Sequence, residues 1–255
     1  MLPRFEVKYI VSNLLLNKLR EHIEPYTELD IHVEHKETHS YSVRSIYFDT
    51  PEFQYYIEKL EGIGDRQKLR FRAYHENTDE SIGFLETKRK LSIPLVKFRA
   101  PFKNTDTKLI FSKSAPQNLI LKNIPNFSDA EENAKLFFYY VHKLQLKPVA
   151  LVVYEREPYF SKFDHSTRIT FDKNLRCSAF PKLEDIYSDE SLSQVLDDKF
   201  IIEVKYNNTF PFWLKPIISK YELRAVPASK YLMSVDRLDL INHCNKYATI
   251  SYSRF

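Results

Sequence analysis

The stretch RQKLRFRAYH, residues 66–75, puts Arg66, Lys68, Arg70 and Arg72 on alternate positions with Leu69, Phe71 and Ala73 between them. In a β-strand, side chains of like parity share a face, so this period makes one face cationic and the other apolar. The same parity recurs along the chain. RFEVKY sets Arg4, Glu6 and Lys8 against Phe5, Val7 and Tyr9, and GFLETKRK aligns Glu86, Lys88 and Lys90. LVKFRA sets Lys97 and Arg99 against Val96, Phe98 and Ala100, and RITFD sets Arg168 and Asp172 against Ile169 and Phe171. IIEVKY sets Glu203 and Lys205 against Ile202, Val204 and Tyr206.

Any one of these is an ordinary half-buried strand with its charged side in water. Together they constrain the fold further, because Arg and Lys dominate the charged rows and the acids in them are isolated. A sheet curled into a barrel turns such rows inward while the apolar rows pack under helices. Strands are predicted over residues 4–10, 41–49, 66–75, 84–91, 95–100, 149–157, 167–173 and 200–206. Helices are predicted after Ser12, from Asp49-Thr50-Pro51 through Leu60, after a capping box at Ser128 and Glu131, and over 211–223 and 227–241. The expected fold is α+β: an antiparallel β-barrel, a tunnel of about eight strands, with flanking helices. It forms a single domain over 1–255 with a surface and helical insertion around 101–147.

A cationic lumen calls for a ligand. Two like charges about 7 Å apart repel by roughly 2 kcal/mol at an effective dielectric near 20, and several such pairs approach the stability of a domain. Arginine forks match phosphate oxygens in a bidentate manner and lysines add point charges, so rows of both suit a linear chain of phosphates. The isolated glutamates then read as ligands for Mg2+ or Mn2+, which take carboxylate and phosphate oxygens together.

Composition excludes several classes. With only Gly62, Gly64 and Gly83, the glycine-rich loops that cradle nucleotide phosphates are ruled out. Cys177 and Cys244 lack CxxC spacing and favour a reducing compartment, with the cytoplasm expected. The N-terminal MLPRFEVKYIVSN carries charges where a secretion signal needs an apolar core, and no apolar run reaches membrane-spanning length. The net charge of +4 permits nucleic-acid binding without indicating it. The aromatics largely alternate away from the cations, whereas single-strand binders put both on one face. His32, His35 and His39 lie close together without cysteine or regular spacing and read as a solvated loop rather than a zinc site.

The ordered set RFEVKY, SIYFDTPEFQYYIEKLEG, RQKLRFRAY, FLETKRK, KPVALVVYERE, RITFD, IIEVKY and ASKY resembles the polyphosphate polymerase domain of the vacuolar transporter chaperone complex. The resemblance is to its stand-alone bacterial form, within the triphosphate tunnel metalloenzyme superfamily. It implies a tunnel enzyme that transfers the terminal phosphoryl group of a nucleoside triphosphate, ATP, to a growing polyphosphate chain with Mn2+ or Mg2+. Position by position it implies Arg70, Arg72, Lys88, Arg156 and Arg168 as catalytic residues. Lys8, Lys68, Lys97, Lys205 and Lys230 become substrate ligands, and Glu203 with Glu6 the metal ligands. The expected partners are nucleoside triphosphate and polyphosphate. No nucleic acid and no membrane segment of its own are expected; whether a membrane partner receives the product, and the oligomeric state, stay open.

One departure bears on activity. The triphosphatase and cyclase branches share ExExK on the first strand, and the first Glu position here is Arg4. One carboxylate fewer weakens metal activation of water and favours polymerase over hydrolase. A triphosphatase or tripolyphosphate hydrolase, and a non-catalytic polyphosphate-binding module, remain the alternatives.

Overall fold

A computed structural model describes residues 4–74, 81–90, 95–112, 116–122, 124–164 and 166–242. Ten strands are present: β1 (Arg4–Ser12), β2 (Thr27–Leu29), β3 (Tyr41–Asp49), β4 (Arg66–Tyr74), β5 (Ile82–Lys90), β6 (Leu95–Lys103), β7 (Lys147–Ser161), β8 (Arg168–Ala179), β9 (Ser193–Gln194) and β10 (Lys199–Asn207). Six α-helices accompany them: α1 (Leu16–Ile23), α2 (Gln54–Leu60), α3 (Thr107–Ser112), α4 (Ala130–Lys143), α5 (Leu214–Lys220) and α6 (Lys230–Arg237).

The strands form one sheet in the order β1-β10-β8-β7-β3-β4-β5-β6, with β2 paired to β7 and β9 to β8. The ladders β1–β10, β10–β8, β2–β7, β3–β4, β4–β5 and β5–β6 are antiparallel. The expected α+β antiparallel architecture with flanking helices is present. Ring closure is not: among the described residues the path ends on β1 and on β6, with no ladder joining them. The region of the expected insertion, 101–147, carries the end of β6, then α3, a short 3-10 turn and α4.

Contacts group the chain into two compact units. The first comprises Met1–Ser42, Tyr154–Arg176 and Gln194–Ser229. Its core packs Tyr9 and Val11 of β1, Ile169 and Phe171 of β8, and Ile202 and Val204 of β10 against Leu19 and Ile23 of α1 and Leu214 and Ile217 of α5. Leu19 and Ile23 lie four residues apart on one helix face, which is why this short helix docks here. Under the same helix, buried Glu157 accepts from Arg20 Nε at 3.0 Å and pairs with Lys173.

The second unit comprises Val43–Val153, Cys177–Ser193 and Lys230–Phe255. Its core takes the apolar parity of β3, β4, β5 and β6 (Ile46, Leu69, Phe71, Leu85, Ala100 and Phe102 among others) and covers it with Ala134 and Phe137 of α4. Gly83 permits this packing, since a Cβ there would lie 2.7 Å from the Phe71 ring and 2.6 Å from the Asn104 side chain. Cys177 is buried in this unit, and burial pushes its thiol up to about 11. Cys244 lies outside the described residues.

Several helix starts differ from expectation. The second begins at Gln54 rather than at Pro51, because Phe53 turns at φ 57 and the Asp49 carboxylate reaches forward to accept from the Tyr55 and Tyr56 amides. The capping box at Ser128 is absent: α4 starts after Asp129, and Ser128 Oγ contacts the Asp129 side chain instead. The last two helices are shorter than predicted, Leu214–Lys220 and Lys230–Arg237. Pro211 and Pro227 both stand outside them.

Candidate functional site

In the second unit the antiparallel register converts the alternating pattern into cross-strand rows. Tyr47, Arg70, Glu86 and Arg99 face one another across β3, β4, β5 and β6. One row along lie Lys68, Lys88 and Lys97. On the other side lie Ser45, Arg72, Phe84 and Pro101. Directly opposed like charges disfavour a ladder, and this row sets three lysines side by side.

Glu86 offsets part of this positive charge. Its fully buried carboxylate meets Arg70 Nε at 2.6 Å through Oε2, while Oε1 lies 2.8 Å from both Lys97 Nζ and Arg99 Nε. The Oε1 contacts fall short of hydrogen-bond alignment and act as charge attraction. Burial works to raise the Glu86 pKa, but Arg70, Arg72, Lys97 and Arg99 hold it well below the usual carboxylate range. With three cations on its two oxygens, Glu86 is a counter-ion rather than a metal ligand. This corrects the reading of every isolated glutamate as a candidate ligand.

The arginines are also held by neutral groups. Arg70 Nη1 donates to the Tyr47 hydroxyl at 3.0 Å and Arg72 Nε to Ser45 Oγ at 3.0 Å. Tyr47 stacks on Tyr231 of α6 at 5.1 Å, and the Tyr231 hydroxyl donates to Asp49 Oδ2 at 2.5 Å. The Lys68 ammonium lies 5.7 Å from the Tyr231 ring centre, and buried Lys230 opens the same helix. Three groups of this face titrate near neutrality. Burial alone would raise Tyr47 and Tyr74, but Arg72 acts on both, with Arg70 also beside Tyr47, and each is drawn down to about 8. Burial brings Lys97 down to about 8 against the pull of Glu86.

Aromatics share this face more than the alternation implied. Their rings pack against the guanidinium groups, Arg99 4.1 Å from the Phe84 centroid and Arg72 5.8 Å from Tyr74. The rings therefore support cations rather than offering free platforms for bases.

In the first unit, Lys8 of β1 opposes Glu203 of β10, which opposes Thr170 of β8. The next row is Glu6, Lys205 and Arg168. Buried Arg156 grips Asp172 with Nε and Nη2 at 2.6 and 2.7 Å and reaches Glu203 Oε2 at 3.0 Å. Arg168 donates to Asp30 at 3.1 Å and to the Tyr41 hydroxyl at 3.3 Å. Lys205 lies 3.7 Å from Glu203, and burial lowers its pKa despite the neighbouring carboxylates. Burial would raise the Glu6 pKa, but Lys8 and Lys205 bring it down.

All twelve residues proposed from the sequence thus fall into two clusters. Arg70, Arg72, Lys88, Lys68, Lys97 and Lys230 belong to the second unit; Arg156, Arg168, Lys8, Lys205, Glu203 and Glu6 belong to the first. A family model described as the VTC domain matches residues 3–238. The chain belongs to the VTC domain family.

Among relatives of this VTC domain, the vacuolar transporter chaperone complex subunit 4 of Schizosaccharomyces pombe is 26% identical over 231 residues. The match covers 77% of this chain and 32% of that protein, so the chain spans about a third of the relative's length. Among solved structures, a Pyrococcus horikoshii protein gives a TM-score of 0.47 at 13% identity, covering 92% of this chain and 99% of that one. A Bacillus halodurans protein provisionally described as an adenylate cyclase gives 0.48 at 14%, covering 89% and 94%. A Hippeastrum protein of similar description, with a dominant triphosphatase activity, gives 0.49 at 11%, covering 93% and 97%. At these scores the likenesses carry no weight for function.

Glu6 and Glu203 are the carboxylates of the first cluster that a divalent cation would meet. Glu6 Oε1 and Glu203 Oε1 lie 3.0 and 3.1 Å from the same Lys8 ammonium, so two hard oxygens converge on one cationic centre. Among the described residues no three His, Cys, Asp or Glu side chains gather as a metal cage. One or two carboxylates completed by phosphate oxygens and water is the mode Mg2+ prefers. Glu203 carries Lys8, Arg156 and Lys205 much as Glu86 carries its three cations, but Lys8 joins it to a second carboxylate, Glu6, so the pair Glu203 and Glu6 fits an ion that takes the place of that ammonium.

Sequence reasoning passed over Arg99, Tyr47, Tyr74 and Asp172 as site residues in this VTC domain. Arg99, Asp172 and Tyr47 share the charged parity of their own strands, and that signal could have found them. Asp30, which follows the three-residue strand β2, gave no comparable signal. Among the described residues no helix is long and apolar enough to cross a membrane.

Proposed function

We propose that this VTC domain is a polyphosphate polymerase that transfers the terminal phosphoryl group of ATP to a growing inorganic polyphosphate chain. One observation carries the reading: three neighbouring rows of the second unit align Lys68, Arg70, Arg72, Lys88, Lys97 and Arg99 across β4, β5 and β6. Rows of cations in that arrangement suit a polyanion, and the family membership points the same way.

In this reading the terminal oxygen of the polyphosphate chain attacks the γ-phosphorus. The bond to the nucleoside diphosphate breaks, and the leaving oxygen keeps the electron pair. Arg70, Arg72 and Lys88 of the second unit stabilise charge on phosphoryl oxygens. Within the first unit, Arg156 and Arg168 are the arginines assigned to phosphate charge. Lys68, Lys97, Lys230, Lys8 and Lys205 bind phosphates as point charges. Glu203 and Glu6 would hold Mg2+ or Mn2+, which supplies Lewis-acid neutralisation of phosphate charge. No covalent protein intermediate is required. The cytoplasm, where nucleoside triphosphate is available, is the proposed compartment.

Incubation with ATP and Mn2+, followed by chain-length analysis on a gel, tests the proposal. Long chains are expected. Release of orthophosphate alone would replace the polymerase with a hydrolase, and tight binding of tripolyphosphate without turnover would leave a binding module.

A further inference from the structure

The charged face of the first unit contains two buried donors that make no hydrogen bond. Arg168 Nε and Thr170 Oγ1 are both inaccessible to solvent and without a partner. They belong to residues two apart on β8, hence on one face of one strand. Their core-facing neighbours, Ile169 and Phe171, pack in the hydrophobic interior, so Thr170 stands among the ions. It is 1% exposed. A buried hydroxyl left unsatisfied is costly and calls for an explanation such as a ligand.

The surroundings indicate which ligand. Glu203, opposite Thr170, has its oxygens committed to Lys8 and Arg156. Asp172, on the other side, is gripped by Arg156. The adjoining row opposes Arg168 directly to Lys205; Asp30 holds one and Glu203 and Glu6 lie beside the other, and an anion over the two cations adds a shared partner. An acceptor seated over that pair is flanked by the Thr170 hydroxyl, whose proton is not otherwise used.

We infer that Thr170 is a phosphate ligand, its hydroxyl donating to an oxygen of the anion that Arg168 and Lys205 attract. The inference rests on the polyphosphate reading and adds a neutral donor to a set otherwise composed of cations. A neutral donor fixes the position of one oxygen without adding charge, so it favours correctly placed phosphate over any anion that only satisfies the net charge.

Thr170→Val keeps the shape and β-branching and removes only the hydroxyl, while Thr170→Ser keeps the hydroxyl. Tripolyphosphate binding is measured by calorimetry in EDTA, together with the melting temperature of each ligand-free protein. The expected result is a loss of about tenfold in affinity for Thr170→Val, near wild-type affinity for Thr170→Ser, and no loss of ligand-free stability in the valine variant. Equal affinity of wild type and Thr170→Val, or a lowered ligand-free melting temperature for that variant, assigns the hydroxyl to water or to the fold and overturns the inference alone. A wild-type chain that fails to bind tripolyphosphate overturns the functional reading and this inference with it.

Discussion

The two charged clusters arise from the same alternating pattern but carry different balances. In the second unit Arg70, Lys97 and Arg99 converge on one buried carboxylate, Glu86, with Lys68, Arg72 and Lys88 in the adjoining rows. In the first, Lys8, Arg156, Arg168 and Lys205 meet Glu6, Glu203, Asp172 and Asp30. In the first cluster each cation has a carboxylate partner, whereas in the second three cations crowd the one carboxylate of Glu86. Anion attraction therefore belongs chiefly to the second unit. The first is better suited to fixing geometry and to exchanging a lysine ammonium for a divalent ion.

The contrast breaks most visibly in activity. On the proposed reading, Arg70→Ala and Glu203→Ala should each lower polymerisation by about 100-fold to 1000-fold, the first by removing a cation from the phosphates and the second by removing a carboxylate that would hold the metal. They should separate in metal-free binding. Arg70→Ala weakens tripolyphosphate by at least about tenfold, whereas Glu203→Ala leaves affinity unchanged or tighter, since a nearby negative charge has gone. Equal effects of the two variants in EDTA would remove the distinction between the clusters.

Glu86→Gln sharpens it through stability. Taking the shared counter-ion from Arg70, Lys97 and Arg99 should destabilise the ligand-free protein by about 3–5 kcal/mol in urea titration. Saturating tripolyphosphate should restore most of the loss, because the polyanion replaces the missing charge and binds only the folded state. A deficit of the same size with and without tripolyphosphate would make Glu86 purely structural.

A smaller effect is expected with pH. Lys97, Tyr47 and Tyr74 all titrate at about 8, and each becomes less positive or more negative as the pH rises. Polyanion binding favours the protonated form of all three. Metal-free affinity should therefore fall severalfold between pH 7 and 9 with protons taken up on binding, as calorimetry in buffers of different ionisation enthalpy would detect. Affinity that rises over this range would contradict the assignment.

The smallest effect lies away from both charged faces. Arg20→Ala removes one of the partners of buried Glu157. It should cost about 1–2 kcal/mol in thermal unfolding while leaving tripolyphosphate affinity unchanged.

The alternation was legible because a strand's period of two is a local property: RQKLRFRAYH declares its faces without reference to any other segment. It therefore yielded the strands, the apolar layer under α4 and nine of the cations in the two clusters; Arg156 came from the resemblance. Register was not legible. Arg70 meets Glu86 and Arg99, rather than residues two positions away, because of how whole strands align, and nothing within any one strand encodes that choice. The charge balance of each cluster depends on register and was hidden with it. Cap chemistry misled for a related reason. Ser128 and Glu131 have the spacing of a capping box, but the chain enters the helix one residue later, and Asp49 reaches across a left-handed turn at Phe53 to serve α2.

The stack of Tyr47 on Tyr231, with Asp49 holding the Tyr231 hydroxyl, imposes a schedule on biosynthesis. Strands β3 to β6 leave the ribosome long before α6 does, so a nascent chain holds most of its guanidinium-bearing surface without the helix that braces Tyr47 and brings in Lys230. On the proposed reading, the face that binds phosphate chains is complete only late in translation.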